Sequence, residues 1–324
     1  MANNTLSKRF HQKIILTPEH AGKRLDIAVN EVFEDFSRSQ IQKWIKDGSI
    51  TLNNSHTKAK HIVIGDEEIE IDVTFVPTNE WIAEDIKLNT IYEDENIIVI
   101  NKPANMVTHP GAGNMTGTIS NALLNLNKNQ QNLPRAGIVH RLDKDTTGLM
   151  VAAKTNLAYL SLTQQLSDRA VSRKYLAIVE GEIYESGTID QPIGRDPNNR
   201  IKMAINYSGK QAITNYTPLE IYDGFTLVEC KLETGRTHQI RVHMKSINHP
   251  LVGDQTYNKS SSKLKNTNLA CFPRQALHAY SLSFTHPLTH KILNFTCDMP
   301  CDMLNLISQL RLTISDDPSL TEDY

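Results

Sequence analysis

Between residues 137 and 153 an apolar segment is interrupted by a run of charge and then resumes: Gly137-Ile138-Val139, His140-Arg141-Leu142-Asp143-Lys144-Asp145, and after Thr146-Thr147 the stretch Gly148-Leu149-Met150-Val151-Ala152-Ala153. Apolar flanks of this kind have to be buried, while the charged turn must reach solvent or a cleft, so the chain is obliged to build a core around a turn that holds a carboxylate between cations. Arg141 and Lys144 favour the ionised form of Asp143. A carboxylate held in that way can act as a nucleophile at neutral pH. Taken alone, the same run also describes a surface turn with solvated ion pairs.

Upstream, Leu25, Ala28, Val29, Val32 and Phe33 recur at helical spacing and predict a helix that opens near Gly22 and Lys23. A second helix follows, with Ser37 or Ser39 as its cap, Ile41, Trp44 and Ile45 as its buried stripe, and Gly48 in the left-handed position after its last turn. Arg38, Lys43 and Lys46 then face outward. Ile50 to Leu52, Ile62 to Ile64 and Ile69 to Val73 read as short strands, with Asn53-Asn54 as a turn. Two short helices with a basic face on a small sheet resemble the S4 RNA-binding module.

Pro77 to Lys87 reads as a linker. Beyond it, strands are expected at Ile97 to Asn101, Leu149 to Ala153, Tyr175 to Val179, Phe225 to Leu232 and Gln239 to His243, and helices at Ile119 to Leu126 and Asn156 to Leu166. Strand and helix do not alternate regularly, which favours an α+β fold with a largely antiparallel central sheet. The expected organisation is a disordered N-terminal tail (1–13), an S4-like domain (14–76), a linker (77–87), a larger domain (88–305) and an acidic C-terminal tail (306–324).

Several chemistries are excluded. The glycines of Gly111-Ala112-Gly113-Asn114-Met115-Thr116-Gly117 are one residue too widely spaced for a dinucleotide fingerprint, and no Walker sequence occurs. With Gln239 to His243 as a strand, His238 and His243 project to opposite faces and cannot share a metal. The four cysteines are irregularly spaced and read as free thiols of a reducing cytoplasm. A net charge of -2 rules out coating nucleic acid by bulk charge. Local basic stretches remain: Lys259, Lys263, Lys265, Arg274 and Lys291 follow one another with no acidic residue between Asp254 and Asp298. No secretory leader or membrane-spanning stretch is expected.

Three further segments come after the charged turn, in order: Ser172-Arg173-Lys174-Tyr175-Leu176, Leu232-Glu233-Thr234-Gly235-Arg236-Thr237-His238-Gln239-Ile240-Arg241, and His249-Pro250-Leu251-Val252-Gly253-Asp254. With His140-Arg141-Leu142-Asp143 they resemble the RluA family of RNA pseudouridine synthases, over about residues 14 to 305. Two positions depart from the family pattern, Asn105 and Asn258, each standing where many relatives carry Gly in a turn.

The resemblance implies a cofactor-free, metal-free isomerase that cuts the bond from C1′ to N1 of a uridine, turns the uracil and joins its C5 to C1′. It implies Asp143 as the catalytic carboxylate, Arg241 as its basic partner, Tyr175 as an active-site ring beneath the base, and Arg141 as the side chain that fills the space of the everted nucleotide. His140 and His109 are expected to meet RNA in the cleft, and Arg38, Lys43 and Lys46 on the S4-like helix. The implied substrate is a large-subunit ribosomal RNA stem-loop, free or in an assembling subunit, met by a cytoplasmic monomer. A family member acting on another ribosomal or transfer RNA site and a non-catalytic RNA-binding protein are the competing readings. A glycosidase built on Asp143 and Asp145 is disfavoured, because carboxylates two positions apart share a turn rather than flank a bond.

Overall fold

The apolar periodicity near the N-terminus produces a small domain with its own core. The computed structural model describes residues 8–33, 36, 38–75, 81–111, 114–199, 202–258 and 272–315. Strands β1 (Lys8–Ile15), β2 (Ile50–Leu52) and β3 (Glu68–Phe75) form an antiparallel sheet in the order β1-β3-β2, against which α1 (Leu25–Val32) and α2 (Arg38–Asp47) pack. Leu25, Ala28 and Val29 of α1 meet Ile41 and Ile45 of α2 in that core. Gly48 (φ 85°) ends α2 and Asn53-Asn54 (φ 48° and 59°) turn the chain after β2, both in the left-handed region expected of them. The Ser37 cap lies outside the described residues.

Three boundaries differ from expectation. Lys8 to Lys13 are not a tail: they are the edge strand β1, hydrogen-bonded along its length to β3, with His11 and Lys13 paired to Glu70 and Glu68. Its alternation is weak in sequence because only Phe10 and Ile14 lean on the core, and order comes from the partner strand. Residues 1–7 lie outside the described residues. Ile62 to Ile64 form no strand. Val63 bonds to the backbone of Lys23 and Gly22 ahead of α1, and its neighbours Ile62 and Ile64 stay exposed. Residues 81–87 belong with the larger domain: Trp81 packs on its core, and Asn121 binds the backbone of Ile82 and Glu84.

The larger domain is built on a nine-stranded sheet. Its strands are β4 (Thr90–Glu93), β5 (Ile97–Lys102), β6 (Thr147–Ala153), β7 (Ser172–Glu180), β8 (Gly187–Asp190), β11 (Ile213–Tyr222), β12 (Phe225–Leu232), β13 (Leu277–Thr285) and β14 (Ile292–Thr296); a separate hairpin, β9 (Ile193–Arg195) with β10 (Met203–Ile205), lies between β8 and β11 in the chain. The order is β4-β5-β6-β13-β7-β12-β11-β8, with β14 beside the second half of β13. Every pairing is antiparallel except the short contact of β13 with β6.

Helices cover both faces, which explains why Ile97 to Ile100 and Leu149 to Ala153 read as unbroken apolar runs. On one face Ile98, Ile100 and Met150 meet α3 (Ile119–Leu126) and α5 (Gln239–Ser246); on the other, Ile97, Val99 and Val151 meet α4 (Asn156–Ser167). The last helix, α6 (Cys301–Ser315), buries Met303, Leu306 and Leu310 against Ile178 and Tyr222. The acidic tail therefore cannot start at 306; residues 316–324 lie outside the described residues. No helix among the described residues is long and apolar enough to cross a membrane.

The fold carries the charged turn of residues 140–146 into β6 through Gly148, whose φ of 113° is left-handed and whose missing Cβ would stand 2.2 Å from the Ala279 carbonyl oxygen of β13. Gly148→Ala is expected to cost about 3 kcal/mol or more, since strain and a backbone clash coincide. Denaturant unfolding at equilibrium measures it.

Candidate active site

The charged turn is tied down residue by residue. Thr108 Oγ1 donates to the Leu142 carbonyl (2.8 Å), Lys102 Nζ to the Lys144 carbonyl (2.9 Å) and Arg274 Nη1 to the Asp145 carbonyl (3.0 Å). The Thr146 amide closes the turn on the Asp143 carbonyl at 3.1 Å. His140 Nε2 accepts the Val151 amide of β6 at 3.1 Å. What the turn leaves free is the Asp143 carboxylate, which faces a cleft of about 380 Å³ lined by Arg141, His140, His109, Tyr175, His238 and Arg241, among others.

Arg241 stands on the first turn of α5 and reaches two carboxylates. Its Nε and Nη2 donate to Asp254 Oδ2 and Oδ1 at 2.7 and 2.9 Å, while Nη1 donates to Asp143 Oδ2 at 2.9 Å. Asp254 is fully buried and also accepts the amides of Thr256 and Tyr257. Burial drives its carboxyl upward, but the Arg241 fork and these amides outweigh that and hold it below the usual range. Burial likewise pulls against the charge of Arg241, and Asp254 and Asp143 more than restore it. A bidentate grip fixes the plane of the guanidinium and so the direction of its remaining N–H. One oxygen of Asp143 is thereby occupied and the other is open.

Beyond the open oxygen lies His238, at 3.9 Å from Oδ1. Tyr257 Oη accepts the Met203 amide at 2.9 Å and stands 2.8 Å from His238 Nδ1. With the hydroxyl proton directed at Nδ1, the ring keeps its own proton on Nε2, toward Asp143. Burial first, and the charges of Arg241 and Arg141 after it, lower the pKa of His238 and keep it neutral, against the pull of Asp143 and Asp254.

Gln239 to His243 form a helix rather than the expected strand. Gln239 to Met244 are six consecutive buried residues. Their polar side chains are each satisfied from a different side: Gln239 by Thr214 and the Ile213 carbonyl, Arg241 by the two carboxylates, His243 by Thr214 and the Gln191 carbonyl. This all-round satisfaction mimics the polar-apolar alternation of a strand. His238 and His243 turn to different partners, Tyr257 for the first and Thr214 with the Gln191 carbonyl for the second.

Tyr175, on β7, is buried in the cleft wall, and burial raises its hydroxyl pKa. His109 stacks on Trp81 (6.4 Å, 24° between planes), with burial lowering its pKa. Burial also drives His140 down to about 3, so it serves the loop as a neutral acceptor and offers RNA no cation. The residues expected on the S4-like helix are not part of this cleft. Lys43 and Lys46 are exposed there, but Arg38 is engaged, donating with Arg24 and Gln42 to the fully buried Asp26. Burial raises the Asp26 carboxyl, and those donors together hold it below the usual range. Of the C-terminal basic stretch, Arg274 is buried against Asp302, and Lys259, Lys263 and Lys265 lie outside the described residues.

Sequence reasoning missed Lys102, Asp254 and the His238–Tyr257 pair. Asp254 was within reach as the acid closing His249-Pro250-Leu251-Val252-Gly253-Asp254. Lys102 is the less expected. It is fully buried, donates to the carbonyls of Pro103, Met106 and Lys144, and is pushed by burial down to about 7 against the pull of Asp145 and Asp143.

Residues 96–246 match the RNA pseudouridylate synthase family. The chain is 48% identical to "Ribosomal large subunit pseudouridine synthase D" of Pseudomonas aeruginosa, covering 90% of this chain and 93% of that one, and 46% identical to the protein of the same name from Haemophilus influenzae, covering 91% and 93%. Among solved structures, the human RNA pseudouridylate synthase domain containing 4 superposes with a TM-score of 0.54 at 27% identity, over 69% of this chain and 93% of that one.

Because Lys102 binds fewer protons folded than unfolded between its folded value near 7 and the ordinary lysine value of 10.5, the native state gains stability as pH rises through that window. Unfolding free energies measured from pH 7 to 10 should therefore climb more steeply in the wild type than in Lys102→Met. Parallel curves would contradict the buried-charge account.

Proposed function

This chain belongs to the RluA family of RNA pseudouridine synthases, and from that membership and the geometry of the cleft we propose that it isomerises uridines to pseudouridine in large-subunit ribosomal RNA. The observation that carries the reading is the Asp143 carboxylate, held by one oxygen on a doubly anchored Arg241 and open on the other. The names of its relatives support the substrate class. That substrate puts the chain in the cytoplasm, at a ribosomal RNA stem-loop, free or in an assembling subunit.

In this reading the target base leaves its stack and enters the cleft, at a cost of a few kcal/mol that is least for an unpaired loop nucleotide. Arg141, exposed at the mouth, replaces part of the lost stacking with its planar guanidinium. Tyr175 forms the platform under the base. Asp143 Oδ1 then either adds to C1′ as the bond to N1 breaks, or takes the proton of C2′. The uracil turns and C5 bonds to C1′ as the Asp143 oxygen leaves that carbon, or, in the second course, as C2′ regains its proton; the proton lost from C5 is balanced by the one gained at N1, so no redox partner, phosphate or cofactor enters the step. Arg241 keeps the carboxylate oriented throughout, and His238, with the proton on Nε2, gives the cleft a donor beside the open oxygen. The pairing of Asp145 through its backbone to Arg274, away from the cleft lining, supports isomerisation over glycoside hydrolysis.

The domain reading is also part of the proposal: residues 8–75 form an S4-like RNA grip, and 81–315 form the synthase. Lys43 and Lys46 are exposed cations of the small domain's second helix, whereas Arg38 is paired with Asp26.

Asp143→Asn should retain RNA binding and yield no pseudouridine in carbodiimide primer extension; activity within about tenfold of wild type would refute its role. Arg241→Ala is expected to lower turnover about a hundredfold while RNA affinity falls far less. Equal losses in the two would point to a purely structural arginine. For the small domain, replacing Lys43 and Lys46 together by Ala should weaken RNA binding and flatten the slope of log K against log salt by about 1.5, the value for two lost phosphate contacts. A filter-binding salt series reads it.

A further inference from the structure

Arg173 is a buried cation with no partner among the described residues. It lies on β7 two positions before Tyr175, on the same side of the strand, and lines the same cleft. It is only 7% exposed, its guanidinium donates to no described residue, and Nε is buried with nothing to bind. Each of the other two buried arginines has a carboxylate: Asp254 and Asp143 for Arg241, Asp302 for Arg274. Space for the group is made by Gly235, where a Cβ would come within 2.6 Å of Arg173 Nη1. Around it, Arg135, Arg141 and Arg236 also line the cleft, and the one carboxylate there, Asp143, is engaged by Arg241. A guanidinium kept out of water without a counterion is costly, and the cost is recovered when an anion arrives.

We infer that Arg173 is a phosphate site, which takes a non-bridging oxygen of the RNA backbone adjacent to the nucleotide whose base enters the cleft. The inference rests on the RNA reading above and adds to it a means of recognising a polynucleotide rather than a free nucleoside. An uncharged acceptor such as a uracil carbonyl would satisfy hydrogen bonds and leave the charge unmatched. A phosphate satisfies both. The anchoring is local to the target, since Arg173 and Tyr175 share one strand face.

The test pairs a protein change with a change in the RNA. Stem-loop RNAs are made with a single uncharged methylphosphonate linkage 5′ or 3′ to the target uridine, and binding is measured for the wild type and for Arg173→Met. The wild type should lose about tenfold or more in affinity with one of the two linkages neutralised. Arg173→Met should show that same loss on the natural RNA and no further loss on the neutralised one. Losses that multiply would overturn the proposal and point to a base contact.

A second measurement guards against misfolding. In the free protein Arg173→Met should raise the thermal midpoint, because an unmatched buried charge is removed; a lowered midpoint would mean that the guanidinium is a structural tie, and would also overturn the proposal. Binding is the readout, so a wild type that binds the stem-loop yet forms no pseudouridine counts against the proposed function and leaves Arg173 to be judged by the same binding data.

Discussion

The structure turns on one guanidinium shared between two carboxylates. Arg241 is gripped by the buried Asp254 through two parallel hydrogen bonds and gives its third direction to Asp143. Neither pairing is sufficient without the other. Asp254 alone would leave a buried ion pair of little net value, and Asp143 alone would leave the arginine free to rotate. Together they convert a flexible side chain into a fixed donor, and the strand-to-helix architecture exists in good part to hold its two ends: the turn before β6 and the start of α5.

The turn illustrates how rigidity is distributed. Three backbone carbonyls of the turn are taken by side chains from elsewhere in the chain, Thr108, Lys102 and Arg274 for Leu142, Lys144 and Asp145. The Leu142 side chain enters the core, and the Asp143 carboxylate is left to the cleft, where Arg241 meets it. Preorganisation of this kind is what a reacting group requires, since the cost of fixing it is met during folding rather than at each turnover.

Much of this was legible in the residues. The apolar runs at 97–100 and 149–153, the helices at 119–126 and 156–167 and the α+β character follow from periodicity, because in each the burial pattern is dictated by the sheet itself. The pairing of Asp143 with Arg241 came from the resemblance and from the chemistry of the two groups. Three things were not legible, each for the same reason. The helix at 239–246 looked like a strand, residues 8–13 of the edge strand looked like a tail, and Lys102 was not singled out at all. All three owe their state to partners more than fifty residues away or on several sides at once, such as β3 for β1 and the Lys144 carbonyl for Lys102. Local pattern carries no record of such partners.

The parallel contact of β6 with β13 joins His278 and Ala279 to Thr147 and Gly148. A ribosome making this chain releases β6 long before β13, so the nascent protein must hold a wholly apolar strand without its neighbour while more than a hundred further residues are added. Until Arg274 and Gln275 arrive to bind Asp145 and Thr146, the turn lacks two of the ties that hold it. Full ordering of the turn is thus deferred until residues more than a hundred positions further along have been made, and in that interval one edge of β6 stands unpaired.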